Sequence, residues 1–531
     1  MRSKIHIWIA TILFSTQAMA LTSPFQGVDS SLANLNFTQV AQKTPVKKLK
    51  IAILDQGFFG VQNEIGKTLP ANTVFKAGPV TNPADLKNDH GVHMAQILVS
   101  FMTDNGKAPQ FTPDLLLYNV FGYTNFQAAI DDLIKQHVDL VLYSEVWQYG
   151  GNFDGTGFID EQVTRATDAG ITWVNAAGNF ALTTYNSKIE TGDENWVQLP
   201  NENHALKIIC PKNPVGKCNW KIVLSWNDFK DNINNGTNKD LDLALTDDLL
   251  NVIQTSSLIQ SNDPNESRPG YSKYPREIIE ASVKPGVYLL RVKDRSENFS
   301  DNDRLRISVD GDFVQMPNRD VNETLLTPAD NDDVITVGAS DSDRSSQSVS
   351  MGKPELYAPS SLTMNGVEYR GSSNSAAIVA AGMGVLKSLN PNLSREDLIS
   401  KSRGAARLWN PSQLTLAQLG FGPTGNNCFQ PLSLPNLPAY LQAVLDRGGQ
   451  FVQTTAGARI MTPFDPAQLT AGLNRTFYND VILSTQSGYK VIPRNSTYND
   501  SSAAEVFQRP ADAMICGVLS GQSKFFSLPT L

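Results

Sequence analysis

Histidine is nearly missing from this chain: five residues in 531. Cysteine is almost as rare, with four. Positive charge is in deficit, 44 Lys+Arg against 52 Asp+Glu, for a formal net charge of -8. Nucleic-acid affinity rests largely on basic contacts to phosphate, so no nucleic-acid partner is expected. Beyond the first twenty residues no apolar run approaches the ~20 residues needed to span a bilayer. There is no repeat of useful period and no low-complexity tract. Apolar residues are not scarce: they make up 41%, enough for a sizeable core and against global disorder. The length suits two or three domains.

The exception to the missing apolar runs is the start. MRSKIHIWIATILFSTQAMA has the plan of a secretory signal: Arg2 and Lys4, an apolar stretch from Ile5 to Phe14, then Ala18-Met19-Ala20 as an A-x-A cleavage site. The expected mature protein is exported (extracellular or periplasmic), with no membrane association after signal cleavage. Export makes the cysteines readable as disulfides. Four cysteines allow three pairings. Cys210 and Cys218 flank the turn-rich PKNPVGK and are expected to pair, leaving Cys428 and Cys516 to tie the C-terminal region.

A polar segment runs from residue 21 to Lys47. Then KLKIAILDQG reads as a buried strand ending at Asp55 and Gly57. DLLLYNVFG, VDLVLYS and ITWVNAAGN read as further strands, and FQAAIDDLIKQH and IDEQVTRATDAG as helices, the latter stopped by Gly170. Alternating strands and helices imply a parallel sheet covered on both faces, with sites beyond the carboxyl ends of its strands. From about Thr184 to Met316 the pattern changes to short alternating runs, HALKIIC, WKIVLSW, DLDLALT, NVIQT, GVYLLRV and LRISV, which read as a β-sandwich. The α/β pattern resumes at DDVITVGAS, so the sandwich is an insertion. Ser372 to Leu389 reads as a small-residue helix. SREDLISKSRGA reads as another, with Ser394 as N-cap and Asp397 placed for a capping box. LPAYLQAVLDR reads as a last one. The domains are therefore a signal at 1–20, an N-terminal segment at 21–47, an α/β domain at 48–187 and 320–447, the insert at 188–319, and an extension at 448–531 of unassigned fold.

Two of the five histidines stand together in NDHGVHMAQIL. Asp55 in ILDQG, His90 in HGVHMAQIL, Asn179 in NAAGN and Ser373 in GSSNSAAIVAAG resemble, in this order, the four signatures of the subtilisin-like serine proteases, the subtilases. DDVITVGAS resembles the strand that precedes the serine segment in that family. The resemblance implies a subtilisin-like α/β fold and a nucleophilic serine that needs a base within hydrogen-bond reach. By it, His90 takes the proton of Ser373 and returns it to the leaving amine, while Asp55 holds the imidazole's tautomer and stabilises its cation. Asn179 and the Ser373 N–H bind the oxyanion. His93, one turn on, is read as structural. Gly91 is read as the residue that lets the chain turn tightly into the helix.

The chain departs from the family in several places. Asn374 stands where methionine is usual, and Ala377 where proline is. Ser144-Glu145-Val146 replaces the usual Ser-Leu-Gly of the substrate-binding strand. Glu145 could favour a basic substrate residue, although a self-paired or solvated glutamate is the preferred reading. Val146 narrows the pocket. Residues 21–47 are too few for the usual N-terminal prodomain.

The chemistry requires no cofactor, and no metal is assigned to the site. In the insert, Asp228, Asp231, Asp240 and Asp242 make an oxygen-rich stretch that could hold a structural calcium. Ile233 spoils the EF-hand spacing, and a solvated acidic loop is preferred. Trp220 and Trp226 share one strand face and are read as core. The leading expectation is a secreted serine endopeptidase acting on protein or peptide substrates. The alternative is an inactive subtilase scaffold that binds through its β-sandwich.

Overall fold

The computed structural model describes residues 21, 23–81, 87–200, 204–320, 322–342 and 344–405, short strands between 421 and 492, and Phe526 and Leu528. It opens with α1 (Val28–Asn34) and a 3-10 turn (Phe37–Gln42). The sequence reading took this segment as merely polar. Its sparse apolar residues Phe25, Val28, Leu32, Leu35, Phe37 and Val40 are instead all buried in the main core. Their spacing of two to four residues is the available signal.

The chain continues through β1 (Lys50–Asp55), the short α2 (Val61–Glu64), β2 (Val74–Lys76), α3 (His90–Met102), β3 (Asp114–Asn119), α4 (Gly122–Lys135), β4 (Leu140–Tyr143), α5 (Phe158–Asp168) and β5 (Thr172–Ala176). The runs KIAILD, LLLY and LVLY are apolar nearly throughout because both faces of this sheet are covered.

The insertion follows: β6 (Thr184–Lys188), β7 (Ala205–Cys210), β8 (Cys218–Trp226), β9 (Leu241–Asp247), β10 (Val252–Ser256), the two-residue strands β11 (Ile259–Gln260) and β12 (Tyr271–Ser272), β13 (Arg276–Val283), β14 (Gly286–Asp294) and β15 (Arg304–Gly311). Two antiparallel four-stranded sheets, ordered β10-β9-β14-β7 and β13-β8-β15-β6, enclose a core that includes Trp220, Trp226 and the aliphatic side chains of β7, β9 and β14. The first of these strands starts at Thr184, ahead of the boundary at 188 drawn from the sequence. REIIEASV, which forms β13, was not read as a strand. Its inward face carries Glu277 and its outward face Ile278, so the residue types do not alternate although the burial does. The Cys210–Cys218 disulfide joins the end of a strand in one sheet to the start of a strand in the other. Cys428, Cys516 and the segment LPAYLQAVLDR lie outside the described residues.

After the insertion come β16 (Ile335–Ala339), β17 (Leu356–Ala358), the hairpin β18 (Leu362–Met364)–β19 (Val367–Tyr369), α6 (Ser372–Leu389) and α7 (Arg395–Ala405). The capping box forms: Asp397 N–H donates to Ser394 Oγ, and Ser394 N–H to Asp397 Oδ2, both at 3.1 Å. β16 and β17 complete a seven-stranded, all-parallel sheet in the order β17-β16-β5-β4-β1-β3-β2.

On one side of β1 the chain first lays down the edge strand β2 and then returns β3 between β2 and β1. The chain then returns to place β4 on the other side, so the topology switches between β1 and β4. That is where open α/β sheets leave a crevice at their carboxyl ends. Leu54 pairs with Tyr143, so Asp55 and Ser144 leave the sheet side by side.

Helix α6 runs through the core and is buried on almost every face. Its small residues are notches for neighbours. A Cβ on Gly384 would lie 2.9 Å from Met102 Sδ on α3, and one on Gly382 would lie 2.3 Å from the Phe526 ring. Phe526 is fully buried there, its N–H donating to Tyr357 O. Leu528 N–H donates to Leu35 O, which joins this late segment to the N-terminal one. Among the described residues no helix is long and apolar enough to cross a membrane.

Candidate active site

Asp55 is the last residue of β1 and is fully buried. Its Oδ1 accepts the N–H of Gly57 at 3.0 Å, which fixes the carboxylate plane. Its Oδ2 lies 2.7 Å from Nδ1 of His90, the first residue of α3. Gly91 makes this approach feasible. Its N–H donates to Gly57 O at 2.7 Å, and a Cβ there would fall 2.7 Å from Asp55 Cβ. The glycine thus serves close packing of the helix start on the strand exit; its backbone has no left-handed φ, so no tight turn depends on it.

Burial works against charge on His90, but Asp55 first, then Glu145 and Asp89, overcome it and push the imidazole up to about 9. His93 stands apart. Its ring packs edge-on against Tyr369 and Phe25 at 5.1 and 5.7 Å, and burial lowers its pKa.

Ser373 is the second residue of α6 and half-buried. Its hydroxyl donates to the carbonyl of Ser144 at 3.0 Å, not to His90. Asn374, in the family's methionine position, donates its amide to Ser360 O and Tyr369 O, so it braces the loop ahead of α6. Asn179 follows Gly178, whose φ of 86° turns the chain out of the sheet region. Its Oδ1 accepts the N–H and hydroxyl of Ser372 at 3.1 and 3.3 Å, which leaves its Nδ2 as the donating end. Gly371 permits this contact: a Cβ there would sit 3.1 Å from Asn179 Nδ2.

The segment Ser144–Val146 connects these parts. Ser144 is buried and supplies the carbonyl that takes the Ser373 hydroxyl. Val146 packs against Ala177, Leu325 and Ala329, and fills the space next to Gly178. Glu145 is self-paired: Oε1 accepts the backbone N–H of Gln56 at 3.0 Å and Oε2 accepts its side-chain amide at 2.7 Å. One atom each of Asp55, His90 and Glu145 lies within 4.8 Å of the other two. Two carboxylates and an imidazole are ligand types a divalent ion takes. Here Asp55 already bonds to His90, and Glu145 to Gln56. The part Glu145 plays beside His90 was missed from the sequence, because it depends on Gln56, the neighbour of Asp55, across the sheet.

The insert abuts this segment. Gln148 Nε2 donates to Ser308 Oγ at 2.9 Å and Trp147 N–H to Thr327 O at 2.7 Å. Arg306, buried on β15, donates to Asn186 Oδ1 and Leu325 O and stacks on Phe153. Asp228, Asp231, Asp240 and Asp242 do not converge on one point. Asp228 pairs with Lys230 and Thr237, Asp242 with Arg295, and Asp231 accepts the N–H of Gly157.

Residues 300–422 match the model of the subtilase family. That match takes in β16 to α7 and includes Ser373, though not Asp55, His90 or Asn179, and it is to the same family that the motifs resemble. No curated protein matches the sequence. Among solved structures the chain is similar to the Clostridium perfringens CspB protease, at 14% identity over 72% of this chain and 94% of that one, TM-score 0.44. It is also similar to MycP1, a serine protease described as an essential component of the type VII (ESX-1) secretion system, at 14% identity over 76% and 86%, TM-score 0.33. The MycP1 structure from Mycobacterium smegmatis gives 14% over 75% and 82%, TM-score 0.33.

Proposed function

We propose that this chain is an exported serine endopeptidase that hydrolyses protein or peptide substrates through an acyl-enzyme. The observation that carries the reading is the 2.7 Å bond from buried Asp55 to His90 Nδ1 at the head of α3. The serine at the head of α6 points at the strand exit next to that pair. His90 Nε2 takes the Ser373 proton as Oγ attacks the substrate carbonyl, then gives it to the leaving amine. Asp55 holds Nδ1–H and offsets the imidazolium charge. Asn179 Nδ2 and the Ser373 N–H receive the oxyanion. Ser144–Val146 forms the wall against which the substrate chain lies. A rotation about the Ser373 Cα–Cβ bond moves the hydroxyl off Ser144; catalytic bonds are often completed only when substrate is present.

The bond from Ser373 to Ser144 also favours a second reading, an inactive scaffold that works by binding. A fluorophosphonate probe separates the two. Wild-type mature protein that labels and digests casein, with Ser373→Ala doing neither, supports the peptidase. The loss on removing this serine should be about a million-fold in kcat, the scale known for subtilisin. Folded wild type that neither labels nor cleaves supports the scaffold.

A further inference from the structure

Glu145 is placed to act on the base. Asp55 ends β1 and Gln56 follows it, so the residue next to the Asp55 carboxylate is also the one that grips Glu145 by its backbone N–H and its side-chain amide. Asn175 Nδ2 steadies the Glu145 carbonyl at 3.3 Å. Glu145 is thus held at its backbone and at its carboxylate, which shares one neighbourhood with Asp55 and the His90 ring. The charged groups facing His90 are Asp55 from β1, Glu145 from the exit of β4, and Asp89 and His93 from its own helix. The buried Tyr143 phenol lies below them on β4.

We propose that Glu145 is a positioning residue that shares the His90 imidazolium with Asp55 in the resting site. The inference takes His90 to be the base of the reaction proposed above. Two carboxylates flanking one imidazole favour the cation, because each opposite charge nearby stabilises the protonated ring. The direction agrees with the electrostatics: Asp55 leads the upward shift of His90 and Glu145 adds to it. Burial, then the charge of Asp55, pushes Glu145 up, while His90 and Gln56 pull it down.

The test is a pH titration of the histidine imidazoles by 15N NMR on intact mature protein, run beside the pH dependence of fluorophosphonate labelling. Only four histidines follow residue 20, and single His→Gln variants assign their signals. Glu145→Gln should lower the His90 midpoint and the acid limb of labelling together, by about one pH unit. Glu145→Asp keeps the charge and should retain a raised midpoint. Equal shifts in both variants, or none in either, would overturn the inference. The NMR arm reads His90 whether or not the protein cleaves peptides. A shifted His90 with no labelling at any pH therefore rejects the peptidase and leaves the electrostatic role of Glu145 standing.

Discussion

The candidate site has a charged half and a neutral half, and they are built differently. Asp55, His90 and Glu145 come from two strand exits and one helix start; Asp55 is bonded to His90, and Glu145, held by Gln56, shares their neighbourhood. Ser373 and Asn179 come from segments on opposite sides of the insertion, and each is bonded to local partners, Ser144 and Ser372. The charged half is preorganised, because an unpaired buried carboxylate is costly. The neutral half consists of a hydroxyl and an amide that exchange partners at little cost. Substrate therefore has its work to do in the neutral half.

Substitutions can break this contrast. After loss of the serine itself, the largest effect belongs to Asp55→Asn. It leaves the shape intact but offers His90 the wrong tautomer, and kcat for casein or a peptide ester should fall about ten-thousand-fold. Asn179→Ala removes one oxyanion donor and should lower kcat by about a hundred- to a thousand-fold, with KM little changed. A smaller fall in the first variant than in the second would reverse the ranking of the halves.

Two changes outside the site sharpen the contrast through stability. Replacing Cys210 and Cys218 by serine opens a short loop, worth about 2.5 kcal/mol of chain entropy. Chemical denaturation should show that loss in the sandwich, while kcat of the folded enzyme stays put. The smallest effect is expected at Asp160. Burial and the charge of Asp330 raise its carboxyl well above the ordinary range, and Oδ2 accepts the Thr327 hydroxyl at 2.7 Å. A raised folded-state pKa means that the native state holds a proton the unfolded chain releases. That contribution is complete below about pH 4 and is lost as pH rises through the folded value. Asp160→Asn mimics the neutral acid, so it should cost little at pH 7 and should flatten the decline in Tm at higher pH.

Much of this was legible in the sequence because the sheet advertises itself. Strands covered on both faces are unbroken apolar runs, and the residues at their ends, Asp55, Ser144 and Asn179, stand out by contrast. Glycines at helix starts marked His90 and Ser373. What stayed hidden depended on contacts between distant segments. The grip of Gln56 on Glu145 leaves no local periodicity. The burial of Phe25 to Val40 rests on scattered apolar residues in a polar context. The role of Phe526 is legible only against the missing side chain of Gly382.

That last contact has a temporal side. The helix presenting Ser373 keeps an open notch at Gly382 until Phe526, far later in the polypeptide, arrives to fill it. A chain synthesised from its N-terminus can form the sheet and the sandwich early. The helix that presents Ser373 gains this neighbour only once the segment with Phe526 has been made.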